Sequence, residues 1–224
     1  MDFRFIFIFI CYVAVSSLGY AQTHQINITE SQDMKPFNIE VFNRNKTGNE
    51  WSYTLSSGEL VRTVESDDGY VEEIRSASSP FSQTNVYYKN GYLKIRASHF
   101  YRVTTGIWKY YDINGNVTEE GNHELGFDLG VEEIARIMLD QFHIDIMDSQ
   151  LVMGFNRYVD KQNTGLPLYE VVISGIQGST PGNAFIISGK DGAVLFVTTR
   201  LMGDRSRGTL YEEFIKSRQG NESK

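Results

Sequence analysis

The chain has 224 residues, of which 41% are apolar and 22% charged, with a formal net charge of −7 and one cysteine. That length holds one large domain or two small ones, and the composition is globular. The acidic balance, with scattered lysines and arginines, argues against nucleic acid and against an anionic membrane surface as partners, because both select a clustered positive footprint.

Residues 1–21 read as an export signal. Arg4 precedes an apolar run over residues 5–15, and Gly19-Tyr20-Ala21 supplies small residues at a cleavage position, so cleavage is predicted after Ala21. The run is shorter than the roughly 20 residues a spanning helix needs, so no membrane span is expected after cleavage. Removal of the segment takes Cys11 with it. The mature chain, residues 22–224, then has no disulfide, zinc–thiolate site or cysteine nucleophile. A cysteine-free exported chain of this size is expected to be secreted or periplasmic and bacterial.

Residues 22–127 are predicted to form a region of β-hairpins. Tyrosine, tryptophan, threonine and valine are interrupted by turn signals at Ser57-Gly58, Asp68-Gly69, Asn90-Gly91 and Asn114-Gly115. Asn-Gly predicts type I′ turns, in which both central residues take positive φ. The two tryptophans share a local frame: Trp51-Ser52-Tyr53 leads to Gly58, and Trp108-Lys109-Tyr110 leads to Gly115, each copy closing eleven residues later at Gly69 and Gly126. A third unit, Tyr87-Tyr88 to Asn90-Gly91, lies about 24 residues before its counterpart at Tyr110-Tyr111. The spacing predicts three related hairpins.

The stretch from Gly106 through Trp108, Tyr110, Tyr111, Asn114-Gly115 and Glu119-Glu120 to Gly121 resembles the bacterial variant of the MORN repeat. The Tyr87 copy lacks the tryptophan and the Trp51 copy lacks the paired tyrosines. The resemblance implies a row of hairpins used as a binding or spacing scaffold, with no catalytic residues. Aromatic residues in such hairpins stack across strands. An exposed ridge of Tyr88, Tyr92, Trp108 and Tyr110 would instead be a candidate surface for a protein partner or a glycan.

From 128 to 201 the pattern changes. Val131, Ile134, Ala135, Met138, Leu139 and Phe142 recur at helical spacing opposite Glu132, Glu133, Arg136 and Asp140, which predicts an amphipathic helix. Asp128, Glu132 and Glu133 complement the positive end of that helix. Strands are expected over 149–159, 166–176, 184–188 and 193–197, with Leu151, Met153 and Phe155 on one side of the first. The order resembles the PepSY-like domain, carried by Tyr169-Glu170-Val171 and Asp191-Gly192-Ala193-Val194-Leu195, which implies a modulator that restrains a partner protein. Residues 202–224 read as a polar tail with a short helical run after Thr209 and a frayed end. The fold class expected is α+β: antiparallel hairpin repeats followed by a small domain with one amphipathic helix packed on an antiparallel sheet.

Catalytic signatures are missing from the sequence. It contains no nucleophile elbow, zinc helix, phosphate loop or dinucleotide fingerprint. The glycine-rich stretches at 178–182 and 188–192 read as turns. His24, His99, His123 and His143 are not at ligand spacing, although His99 and His123 lie 24 residues apart, in near register with the repeat. No cofactor, metal or catalytic residue is assigned. The expectation is an exported, non-catalytic binding or scaffold protein acting through protein or cell-envelope contacts. The alternative is an inhibitor or immunity-type protein that neutralises a periplasmic or secreted enzyme. Convergence of Glu65, Asp67, Asp68, Glu72 and Glu73 with Glu119 and Glu120 would favour the alternative, through steering of a basic enzyme cleft. If the rings of Trp51 and Trp108 are buried, replacing either by alanine is expected to cost roughly 3–5 kcal/mol.

Overall fold

Glycine-bearing turns fold the first half of the chain into strands that pair in sequence order. In the computed structural model, which describes residues 36–175, 182–200 and 206–222, these are β1 (Glu50–Thr54), β2 (Leu60–Ser66), β3 (Gly69–Arg75), β4 (Phe81–Tyr88), β5 (Leu93–Phe100), β6 (Val103–Tyr111) and β7 (Val117–Asn122). They form one seven-stranded antiparallel meander. Residues 1–21, expected to be an export signal, together with His24 and the loop at 178–181, lie outside the described residues.

Three hairpins turn in the same way, but not as type I′. The glycine N–H donates to the carbonyl three residues back, in the pairs Gly58–Leu55, Gly91–Tyr88 and Gly115–Asp112. The same three residues, Leu55, Tyr88 and Asp112, donate their N–H to Glu59, Tyr92 and Asn116. Only the glycines take positive φ, at +96°, +85° and +88°; Asn90 and Asn114 do not. These are three-residue loops in which a type I turn ends on a left-handed glycine. Asparagine contributes its side chain at Asn90, whose Oδ1 accepts the Tyr92 N–H at 3.2 Å.

The repeat is therefore one of turns, and only two hairpins repeat as units. The β4–β5 and β6–β7 hairpins are two strands apart and carry the same bulge, between Val86 and Tyr87 and between Tyr110 and Tyr111. Aligned on the turn glycine, Tyr87 and Tyr111 are equivalent, and both are 8% exposed. The tryptophans fall out of step. Trp51 shares a cross-strand row with Thr63, Glu72, Asn85, Arg96 and Lys109, so its face is opposite that of Trp108. β1 and β6 lie five strands apart and run antiparallel, a separation that no whole number of hairpins produces.

A helix that the periodicity does not announce lies before β1. α1 (Ile39–Asn45) is capped by Asn38, whose Oδ1 accepts the Val41 N–H at 3.0 Å. It buries Phe42 completely among Tyr70, Tyr87, Leu93 and Tyr111. Seven residues with one fully buried side chain leave no helical stripe to read.

The second half forms a four-stranded antiparallel sheet, in the order β11 (Val194–Arg200), β10 (Gly182–Ser188), β9 (Pro167–Ile173), β8 (Val152–Val159). α2 (Val131–Phe142) covers one face with Val131, Ile134, Ala135 and Met138, while Leu139 turns out to solvent at 48% exposure. His143 ends the helix in the left-handed region at φ 57°. In β8 the expected alternation fails. A bulge between Val152 and Gly154 leaves Leu151 and Met153 exposed and only Phe155 buried.

The helical run expected after Thr209 is present, but it is longer than expected and docks on the sheet instead of remaining a solvated tail. α3 (Leu210–Glu222) starts at a capping box, with the Thr209 hydroxyl accepting the Glu212 N–H and the Glu212 carboxylate accepting the Thr209 N–H. Leu210 and Phe214 are buried against Leu168, Ala184 and Ile186. The four-stranded sheet thus has a helix on each face. The fold is mixed α and β, built mostly of two antiparallel sheets with three helices. Among the described residues no helix is long and apolar enough to cross a membrane.

The main core joins the two sheets. Phe100, from the lower end of β5, is fully buried with Phe155, Tyr169, Ile134 and Met138. Tyr101 in the β5–β6 turn reaches across, its hydroxyl donating to the Ile146 carbonyl at 2.9 Å.

Candidate functional site

The seven-stranded sheet has two unlike faces. α1, α2 and the second sheet pack on the face that carries Tyr70, Tyr87, Phe81 and Phe100. The opposite, open face carries the cross-strand row Val64, Val71, Val86, Ile95 and Tyr110, with Tyr88 and Trp108 on the same side. None of these seven belongs to any of the three buried clusters.

Of the four aromatic residues expected to form a ridge, three therefore share this face. Tyr88 lies across β5, donating its hydroxyl to the Tyr111 carbonyl at 2.9 Å, with the Lys94 ammonium 5.5 Å from its ring centre. Trp108 donates Nε1–H to the Ser98 carbonyl at 3.3 Å. Tyr92 is placed apart from the other three, at the exit of the β4–β5 turn, and is 43% exposed.

Both repeat-register histidines meet at Trp108. The ring of His99 packs edge-on to the indole at 5.5 Å and that of His123 lies at 4.5 Å. Burial, then the Arg75 and His123 charges, hold the His99 imidazole below its ordinary value despite Glu73. The pair brackets an indole and does not form a cation site; among the described residues no group of three or more His, Cys, Asp or Glu could hold a metal.

The acidic run does not converge. Glu65 is paired with Lys46 at 2.6 Å and Lys89 at 3.4 Å. Glu72 lies on the covered face, accepting from Asn85 and Tyr87, whereas Glu73 lies on the open face beside Arg75. Glu119 and Glu120 are on β7, four strands from β3 and on opposite faces from each other.

A second feature, invisible in the sequence, lies where the sheets meet. Arg157 of β8 is 8% exposed and holds the junction. Its guanidinium donates to Glu124 Oε2 and Oε1 at 2.6 and 3.0 Å, to the Thr104 and His123 carbonyls at 2.6 and 3.0 Å, and to the Tyr169 hydroxyl at 3.3 Å. It also lies 4.7 Å from the centre of the Phe127 ring. Glu124 in turn accepts the Gly106 N–H at 2.6 Å. Burial raises the Glu124 carboxyl, but these donors and the Arg157 charge outweigh it and hold the group below its ordinary value. The one available sequence signal was an arginine two residues from Phe155, on the strand face that enters the core.

Beside this clamp opens a cleft of about 530 Å³. Its floor is Gln83, Ser98 and Thr105, its walls include Phe81, Phe127 and Val131, and Asp128 and Glu132 flank the start of α2 at its rim. The contributing residues are too far apart in sequence to make a motif. Compared with known protein families, characterised proteins and solved structures, the chain matches none.

Proposed function

We propose that the protein is an exported, non-catalytic binding or scaffold protein that contacts a protein or cell-envelope partner through the open face of its seven-stranded sheet. The observation that carries this reading is the continuous set of Val64, Val71, Val86, Ile95, Tyr88, Trp108 and Tyr110 on a face to which no buried cluster extends. A contiguous apolar surface with tyrosine and tryptophan has the composition of contact hot spots. The four-stranded sheet with α2 and α3 serves as the rigid base. Dispersal of the acidic residues over both faces removes the feature that would have favoured an inhibitor of a basic enzyme cleft.

Affinity capture from envelope extract, followed by Tyr88→Ala, Trp108→Ala and Tyr110→Ala variants of the bait, tests the reading. A stoichiometric partner lost with these variants supports it. A captured enzyme that is inhibited on binding would turn the assignment to the inhibitor class.

A further inference from the structure

The junction cleft is separate from the open face, and its chemistry points to a small ligand. Gln83 on β4, Ser98 on β5 and Thr105 on β6 face one another in a single cross-strand row along its floor. Gln83 is 8% and Thr105 5% exposed. Gln83 donates its amide to Asn85 Oδ1 at 2.8 Å. The hydroxyls of Ser98 and Thr105 bond to no other group among the described residues. Ser98 is only partly buried, and neither hydroxyl is among the buried atoms left without a partner, so both open to the cleft and can exchange water for a ligand held there.

The charges select the kind of partner. No lysine or arginine lines the cleft, and the neighbouring Arg157 is committed to Glu124, two carbonyls and Tyr169, so an anionic ligand meets no free cation. Three carboxylates line the cleft: Asp128, which is exposed, and Glu132 near the start of α2, and Glu124, whose charge is already met by Arg157 and the Gly106 N–H, whereas Gln83, Ser98 and Thr105 are neutral. An ammonium carried to the Gln83, Ser98 and Thr105 row would lose its water and meet only the Glu124 carboxylate, which Arg157 already neutralises. Hydroxyl groups, which donate and accept, match Gln83, Ser98 and Thr105, and the rim carboxylates accept from the outer ones. Phe81, Phe127 and Val131 supply apolar walls for the carbon face of a ring. The volume, about 530 Å³, falls within the roughly 300–1,000 Å³ of small-molecule sites.

We propose that the junction cleft binds a neutral saccharide of mono- or disaccharide size, with the Gln83, Ser98 and Thr105 row reading its ring hydroxyls. The site stands whether or not the open face binds a partner.

Amide NMR titrations of the purified protein with glucose, cellobiose and diacetylchitobiose, and with methylammonium chloride as the cationic control, test this. The expected result is saturable, salt-independent shifts at Ser98, Thr105, Gly106 and Gly130 with at least one sugar. Thr105→Val, which exchanges the hydroxyl for a methyl, and Ser98→Ala, which removes it, should each weaken that binding by about tenfold at an unchanged unfolding midpoint. Equal affinity in both variants would overturn the proposal. So would saturable, salt-sensitive shifts with methylammonium alone, or no shift with any of the three sugars.

Discussion

Arg157 carries a charge into the boundary between the sheets, and five acceptor contacts from four residues surround it. Arg157→Met would keep most of the stem's volume while leaving Glu124 and two carbonyls without their donor. A loss of about 3 kcal/mol is expected in urea unfolding, since breaking a buried pair leaves the other charge uncompensated. The same pair predicts acid sensitivity. The Glu124 carboxyl is held below its ordinary value of 4.5 in the folded chain, so below that value the unfolded chain binds more protons. Its stabilisation is complete above the ordinary value and is lost as pH falls through the depressed one. Glu124→Gln should therefore flatten the acid limb of a stability–pH profile; an identical acid limb would remove Glu124 from the linkage. The tryptophans separate in a similar way. Trp51 stacks on Tyr53 at 4.2 Å and packs against the α1 core, whereas Trp108 is flanked by histidines on the open face. Because both rings are only partly buried, Trp51→Ala should cost about 2 kcal/mol and Trp108→Ala about 1 kcal/mol, measured as urea midpoints, below the figure for full burial.

Among the elements, α2 and the strand turns are the parts legible in the sequence, for a physical reason. Twelve residues hold enough helical periods to define a buried stripe, and the left-handed glycines Gly58, Gly91 and Gly115 mark the three hairpin turns. α1 is too short to show a stripe; the start of α3 is legible from the capping box at Thr209, but its length and its docking are not, because it is polar except for the few positions that meet the sheet. The turn glycines themselves differ in consequence. A Cβ at Gly69, φ +155°, would lie 1.8 Å from the Tyr87 carbonyl oxygen on the neighbouring strand, while one at Gly58 would meet nothing within 4 Å. Gly69→Ala is expected to destabilise by about 3 kcal/mol and Gly58→Ala by about 1 kcal/mol, the second reflecting backbone strain alone. Equal thermal midpoints for the two would contradict the close packing of β3 on β4.

At the scale of the molecule, the candidate sites depend on topology that local patterns do not contain. The open face was partly visible, because Tyr88, Trp108 and Tyr110 stood out as aromatic residues in strands. Which face each occupies depends on the bulges at Tyr87 and Tyr111 and on the antiparallel setting of β1 and β6. The junction cleft was not visible, since Gln83, Ser98, Thr105 and Glu132 come together only when the meander docks on the second sheet. Whether the open face is the partner surface is decided by comparing capture of the same envelope partner by the unaltered protein and by a Tyr88→Ala/Tyr110→Ala double variant. Loss of capture is expected while backbone amide shifts of α2 and the four-stranded sheet stay in place. Undiminished capture by the double variant would contradict it.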